Sequence, residues 1–522
     1  MLSKTRGTIA AGHPKTAEAG IEMFRLGGNA FDAAVAAMLA SFVVESGLTS
    51  VAGGGFLLAR TRENRQILFD FFAQTPRHPQ SVESLDFYPV DLDFGGTTQQ
   101  FHIGLGSIAV PGNLAGLFAV HQQLGTLPFH VLAEPAIAYA RQGVEINPFQ
   151  SYLLNLLAPI LLRDPASRQI YAPQGTLLQV GDTIAMPNLG TVFEEFAKTG
   201  TYEFYRGEIA RQVVRDCQEK GGLLTLEDFE NYRVILRSPL RIPYRDRQLL
   251  MNPPPSSGGA LIAFTLKLLS TFDFDRFSFG SLPHLHALCR AMQLTNIGRK
   301  DGYDDSLYNA DILDNFLSKK HLLDYQSQFQ TYLKNDLNKL GSTTHISVLD
   351  CEGNAASVTT SNGEGSSYMI PGTDIAMNNM LGEADLNPRG FHRWRANCRM
   401  SSMMTPTVLM NGDRPEMVLG SGGSNRIRTA IFQVISNFVD FKMEAIAAVE
   451  SPRTHYENGV FHLEPGLPGD LFDPPEFSSE FEWIYWQEKS MFFGGVHSVA
   501  IAPDGSMFGI GDSRRNGMGL SV

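Results

Sequence analysis

Gly341–Asp350, GSTTHISVLD, leads into the turn residues Glu352-Gly353-Asn354 and a second β-rich run, Ala355–Thr360. Thr343 stands at the threshold of a strand, behind a small Gly-Ser pair. A hairpin turning near Glu352 pairs residues whose numbers are symmetric about the turn, which sets Ser361 opposite Thr343. Strand alternation puts Thr343, His345 and Ser347 on one face and Thr344, Ile346 and Val348 on the other. Threonine is a weak nucleophile and needs a base. If the chain is cut between Ser342 and Thr343, the new α-amino group, with a reference pKa of about 7.7–8.0, can be that base on the same residue. The return segment Ser361-Asn362-Gly363 supplies a hydroxyl within reach of Thr343, and Asn362 is read as a substrate-binding amide beside it. An ordinary hairpin with Thr at a strand start is the competing reading, which β-propensity alone would favour.

Outward from this hairpin, Ala17–Leu26 and Phe31–Glu45 read as helices. In the second, Phe31, Ala34, Val35, Met38 and Phe42 recur at helical spacing, and its other faces are alanine-rich, so it belongs between layers. Val51–Arg60, with three consecutive glycines, and Gln66–Phe72 read as strands. Leu117–Phe229 alternates amphipathic helical patterns with short loops. Asn252–Gly259, NPPPSSGG, is a rigid turn into the helix Ala260–Leu269. Leu313–Leu340 is polar and helix-like, and beyond it the pattern turns to strands, including Met417–Gly420 and Ser498–Ile510. Helices before 340 and strands after it suggest one layered α/β unit whose halves intertwine.

Gly420-Ser-Gly-Gly-Ser-Asn425 follows a strand, Glu416–Leu419, and precedes a helical run, Ile427–Val439. Backbone N–H groups at such a turn can stabilise a developing oxyanion. The GxxxxGK[ST] spacing of a phosphate loop is missing, as are HExxH and GxSxG patterns, so most histidines are expected to be structural. Ser401-Ser402 places two hydroxyls before the strand Thr407–Met410. Asn378-Asn379-Met380 with Glu383 and Asp385 is a polar cluster suited to a substrate ammonium group.

The chain has 522 residues, 43% hydrophobic and 18% charged, a globular composition. A net charge of −12 without a dense Lys/Arg stripe argues against a nucleic-acid binder. Cys217, Cys289, Cys351 and Cys398 are scattered without CxxC spacing, which argues against a disulfide framework or metal site. The longest apolar run, Ala33–Val44, falls short of the ~20 residues of a membrane helix, and no signal-peptide pattern opens the chain. A cytoplasmic protein without membrane attachment is the expectation.

Taken in order, these segments resemble the γ-glutamyltransferase family, a branch of the N-terminal-nucleophile hydrolases. The likeness runs through Gly27-Gly28-Asn29-Ala30 with Asp32-Ala33-Ala34, Gly53-Gly54-Gly55-Phe56, Val110-Pro111-Gly112, and Pro253–Gly259. It continues with Thr343-Thr344-His345, Asp350 and Gly353-Asn354, then Asn378-Asn379, Ser401-Ser402 with Thr405-Pro406, and Gly420–Arg426. The resemblance implies a four-layer αββα sandwich, made as a precursor and cut before Thr343. Residues 1–342 would form the large-subunit segment and 343–522 the small-subunit segment, together one catalytic unit and a heterodimer, with further dimerisation left open. It implies Thr343 as nucleophile, Ser361 as a supporting hydroxyl that is usually Thr, and Gly422 and Gly423 as oxyanion donors, although GSGGSN stands where GSPGGS is usual. Ser401 and Ser402 match hydroxyls that bind the donor's α-carboxylate. Asn379 and Glu383 fall in the ammonium-binding cluster, with Met380 where Gln or Glu is usual. Phe72 stands where the family carries the Arg that clamps that carboxylate, and a phenyl ring cannot replace a bidentate guanidinium. Arg77 and Arg399 are the neighbouring cations that could stand in.

The reaction so implied is acyl transfer from a γ-glutamyl amide such as glutathione to water or an amine, without metal or organic cofactor. An acylase for glutaryl or other acyl amides is the alternative that Phe72 motivates. A binding homologue without turnover is the non-enzymatic one.

Overall fold

The computed structural model describes residues 5–93, 98–327, 342–467 and 482–522. Two antiparallel sheets face one another. The first has seven strands in the order 518–521, 7–11, 344–350, 355–361, 54–60, 66–71, 235–237. The second has six, in the order 507–510, 495–501, 414–422, 407–411, 247–251, 240–244. Helices Pro14–Arg25 and Ala30–Val44 cover the outer face of the first sheet; Gly258–Leu269 and Arg426–Val439 cover the second. This is the expected αββα arrangement.

Every residue of Ala30–Val44 is buried, as an apolar helix between layers should be. Its start is fixed by a capping box in which Asn29 accepts from the N–H groups of Phe31 and Asp32 while Asp32 accepts from the Asn29 N–H.

The hairpin has the expected register: Thr344 pairs with Thr360 and Leu349 with Ala355, which sets Thr343 against Ser361. Ile346 and Val348 join the core beneath Ala30–Val44. His345 and Ser347 face the second sheet, where Ser347 Oγ donates to the His497 carbonyl at 3.1 Å. His345 is fully buried between Thr359 Oγ1 at 2.8 Å and Ser347 Oγ at 2.9 Å. Burial holds its pKa well below the usual imidazole value, so it is a neutral structural residue.

The division into helices before 340 and strands after it is only approximate. Gly7–Ala11 is a strand absent from the sequence reading; it pairs with Thr344–Asp350 on one side and Met518–Ser521 on the other. The helix Arg426–Val439 lies in the strand-rich half. Within Leu313–Leu340, Ile312–Phe316 and Lys319–Ser327 are helical, and the remainder lies outside the described residues. Both large sheets combine strands from before and after Thr343, so neither of them is complete within one half of the chain.

Candidate active site

Thr343 immediately precedes the central strand Thr344–Asp350 and is only 4% exposed. Three neighbours fix its surroundings. Ser361 Oγ donates to the carbonyl of Ser342 at 2.6 Å, and accepts from the Gly363 N–H at 3.0 Å. Arg515 Nη1 donates to the Thr343 carbonyl at 3.0 Å; full burial lowers the Arg515 pKa to about 10. Gly422 packs so closely that a Cβ on it would lie 2.1 Å from the Thr343 carbonyl oxygen. Only glycine fits there. Gly423, next in the turn, has φ +119°. The turn therefore sits against the backbone of Thr343, ahead of the helix Arg426–Val439, although neither glycine is among the lining residues of the cavity at Thr343.

Gly53 and Gly54 bring the neighbouring strand into the same place. A Cβ on Gly53 would meet the Ser361 carbonyl oxygen at 2.2 Å, and one on Gly54 would meet the Ala73 nitrogen at 2.6 Å. This close approach delivers Phe72 to the Thr343 cavity.

That cavity is lined by Phe72, Thr343, Ser361, Met380, Glu383 and Ser402, with Asp385, Leu386, Met403, Met404, Ser424 and Ile427 completing it. Phe72 stacks on Phe56 with ring centroids 5.4 Å apart. Glu383 is buried, and its Oε1 has no hydrogen-bond partner among the described residues. Burial, followed by the nearby Glu364 and Asp385 charges, raises its pKa well above the carboxylate range. Among the described residues the lining contains two carboxyl groups and no Lys or Arg.

Neither candidate cation reaches this cavity. Arg399 is buried in an ion pair with Asp70 at 3.2 Å, donates to Tyr232 Oη and the Arg233 carbonyl, each at 2.6 Å, and also donates to the Phe72 carbonyl. Arg77 is not among the lining residues; its backbone N–H donates to Asp228.

Other expected residues are placed unequally. Ser402 lines the cavity and accepts from the Met404 N–H at 3.1 Å, whereas Ser401 lies outside the lining, 3.0 Å from Ser257 Oγ. The turn ending at Gly259 positions this loop, because the N–H groups of Ser257 and Gly258 both donate to the Ser402 carbonyl. Asn362 lines the adjoining cavity with Gly363 and Glu364, not the one around Thr343. Asn379 accepts from the Glu364 N–H at 2.9 Å and so braces the return segment.

Glu364 and Arg515 were missed by the sequence reading. Glu364 accepts from Ser342 twice, from N–H at 2.7 Å and from Oγ at 2.6 Å. Its only signal was an acid in a glycine-rich return segment. Arg515 lies 172 positions from Thr343, and no local pattern joins the two. Among the described residues no group of three or more His, Cys, Asp or Glu side chains is placed to hold a metal, and no helix is long and apolar enough to cross a membrane.

The arrangement matches known proteins along almost its whole length. The acylase ACY 1 proenzyme of Pseudomonas sp. (strain V22) is 29% identical over 99% of this chain and 94% of its own length. The glutathione hydrolase proenzyme of Bacillus subtilis (strain 168) is 28% identical over 99% and 91%. Among solved structures, the cephalosporin acylase from Bacillus halodurans superposes with a TM-score of 0.86 at 23% identity, covering 99% of this chain and 96% of that one. The model of the gamma-glutamyltranspeptidase family matches residues 16–522. The chain is thus a member of the gamma-glutamyltranspeptidase family, an enzyme of the N-terminal-nucleophile hydrolase type.

Proposed function

We propose that the protein cuts itself before Thr343 and then uses Thr343 to transfer the acyl group of an amide donor. The observation that carries this reading is the Ser361 hydroxyl, 2.6 Å from the Ser342 carbonyl oxygen at the junction to be cut. A hydrogen bond there polarises the carbonyl that Thr343 must attack. Thr343 Oγ adds to the Ser342 carbonyl carbon, the C–N bond breaks, and the hydroxyl proton ends on the departing nitrogen. The resulting ester is hydrolysed by water. Residues 1–342 and 343–522 remain together as a heterodimer because they share both sheets.

In the processed enzyme the free Thr343 amine takes the proton from Oγ as it attacks the donor, and returns it to the leaving amine. The N–H groups of the Gly422–Gly423 turn receive the developing oxyanion, and water or an acceptor amine resolves the acyl-enzyme ester. The unpaired Glu383 carboxyl, with Asp385 beside it, suits a donor ammonium group, as in a γ-glutamyl amide such as glutathione. A second reading, an acylase for a less charged acyl group, is favoured by Phe72 and by the lack of a cation in the lining. The same lining disfavours glutaryl donors, whose carboxylate would face carboxyl groups.

Denaturing electrophoresis with N-terminal sequencing tests the first step: wild type should yield a fragment beginning at Thr343. Thr343→Ala should remain one inactive chain. Full activity in protein with no fragment starting at Thr343 would overturn the mechanism.

A further inference from the structure

Ser342, the residue on the acyl side of the junction, is held from two directions. Ser361 Oγ donates to its carbonyl at 2.6 Å. On the other side Glu364 accepts both of its donors, N–H at 2.7 Å and Oγ at 2.6 Å. Glu364 is only 3% exposed, and its backbone N–H is tied to Asn379 Oδ1 at 2.9 Å. Asn379 in turn donates to the His102 carbonyl at 3.2 Å. Glu364 does not line the Thr343 cavity. Burying a carboxyl group is costly unless it is well bonded, and the bonds this one makes are to the residue that cleavage detaches.

We propose that Glu364 is a positioning residue for self-cleavage, a two-point clamp that orients Ser342 so that its carbonyl meets the Thr343 hydroxyl. The proposal rests on the reading of Thr343 as self-cleaving. Attack requires the reacting atoms about 3–3.5 Å apart and aligned. Free rotation about the backbone of Ser342 would spread the carbonyl over many directions. Fixing N–H and Oγ on Glu364 and the carbonyl on Ser361 leaves one direction. Both clamping groups come from one short return segment, three positions apart, so they are set together by the hairpin.

An ionised carboxylate accepts at both oxygens, whereas the protonated acid has a donor in place of one acceptor. Burial raises Glu364 to about 7, opposed by its two bonds from Ser342 and by the Arg515 charge. Among the described residues Arg515 and Glu383 are the charged groups facing it, and Glu383 is itself buried and raised. The clamp is therefore complete above about pH 7 and weakens below it. After the cut, Ser342 ends in a carboxylate beside Glu364, and like charges then favour departure of that end.

The test is synthesis of the full chain in a cell-free system, following the appearance of fragment 343–522 between pH 6 and 8.5. Glu364→Gln should cleave at least tenfold more slowly and lose the inflection near pH 7; Glu364→Ala should be slower still. Ser342→Ala should slow the wild-type chain but add nothing to Glu364→Ala, because the two share one interaction. Thermal unfolding in a Thr343→Ala background checks that the substitutions leave the fold intact. Where the Glu364 variants fail to fold, Ser342→Ala alone decides, and an unchanged rate overturns the proposal. Wild-type rate and pH profile in Glu364→Gln, or additive losses at 342 and 364, would also overturn it. A wild-type chain that yields no fragment starting at Thr343 would instead overturn the self-cleavage reading.

Discussion

Replacing Phe72 by Arg puts a cation where the described lining of the acyl cavity has none. Phe72 is 1% exposed and stacked on Phe56. Losing that ring pair costs about 0.5–1.5 kcal/mol, which the aliphatic stem of Arg does not restore. Against this stands the gain for a donor bearing an α-carboxylate. A hydrogen bond to a charged group contributes about 1.5–3 kcal/mol, and each 1.4 kcal/mol is about tenfold in affinity. The preference for carboxylate donors should therefore rise by roughly 10- to 100-fold. Four anilide donors isolate the effect. The γ-glutamyl compound carries amine and carboxylate, 4-aminobutyryl the amine alone, glutaryl the carboxylate alone, and butyryl neither. In wild type, kcat/KM for 4-aminobutyryl should match or exceed that for γ-glutamyl, and glutaryl should be the poorest. In Phe72→Arg both carboxylate ratios, γ-glutamyl to 4-aminobutyryl and glutaryl to butyryl, should rise. If the new guanidinium instead pairs with Glu383, the 4-aminobutyryl to butyryl ratio falls. A wild-type preference for γ-glutamyl over 4-aminobutyryl of a hundredfold or more, unchanged by Phe72→Arg, would refute the reasoning.

Ser361→Ala removes the hydroxyl on the Ser342 carbonyl, and loss of one such donor costs about 10²–10³ in rate; a time course of fragment formation reads it directly. Glu383 carries a raised pKa because of burial and the Glu364 and Asp385 charges. Raising the pH through its folded range creates the anion, and KM for amine-bearing donors should fall while KM for butyryl donors stays level; Glu383→Gln should remove that difference. Gly422→Ala would force a methyl to within 2.1 Å of the Thr343 carbonyl, and the expected result on a gel is a folded or aggregated chain without the cut. Dialysis against a strong chelator should leave activity intact, and its restoration by one divalent ion would show that the site has been misread.

The parts legible in the sequence were those governed by local geometry. A tight turn at Glu352–Asn354 fixes register by counting, so the Thr343–Ser361 pairing and the two faces of Thr344–Asp350 could be deduced before any tertiary contact was known. The readings Ala17–Leu26 and Phe31–Glu45, the second from its 3.6-residue repeat, fall on the helices observed at Pro14–Arg25 and Ala30–Val44. Contacts closing over long separations were not legible. Gly7–Ala11 is five small or β-branched residues whose strand identity comes from its partners at 344–350 and 518–521. Arg515 reaches Thr343 only because the sheet brings the C-terminal strands beside the first. The resemblance placed Ser401 and Ser402 together on the donor. In the structure Ser402 is among the lining residues of the cavity, while Ser401 Oγ lies 3.0 Å from Ser257 Oγ.

This topology also answers a difficulty inherent in a nucleophile made by cutting the chain. A new N-terminus is normally free to fray, since nothing upstream holds it. Here Thr344, the next residue, is paired with Thr360 and its hydroxyl donates to the buried Glu45 carboxyl, which also accepts from Thr16 Oγ1 at 2.6 Å. The strand that begins there has Gly7–Ala11 on one flank and Ala355–Ser361 on the other, the latter paired in turn with Gly54–Arg60. Backbone hydrogen bonds on both sides therefore survive loss of the Ser342–Thr343 peptide. Arg515 holds the Thr343 carbonyl from the opposite end of the chain. The proposed cleavage would free an amine and leave its residue in place: what the cut would release is Ser342, whose described side-chain and N–H contacts are to Glu364.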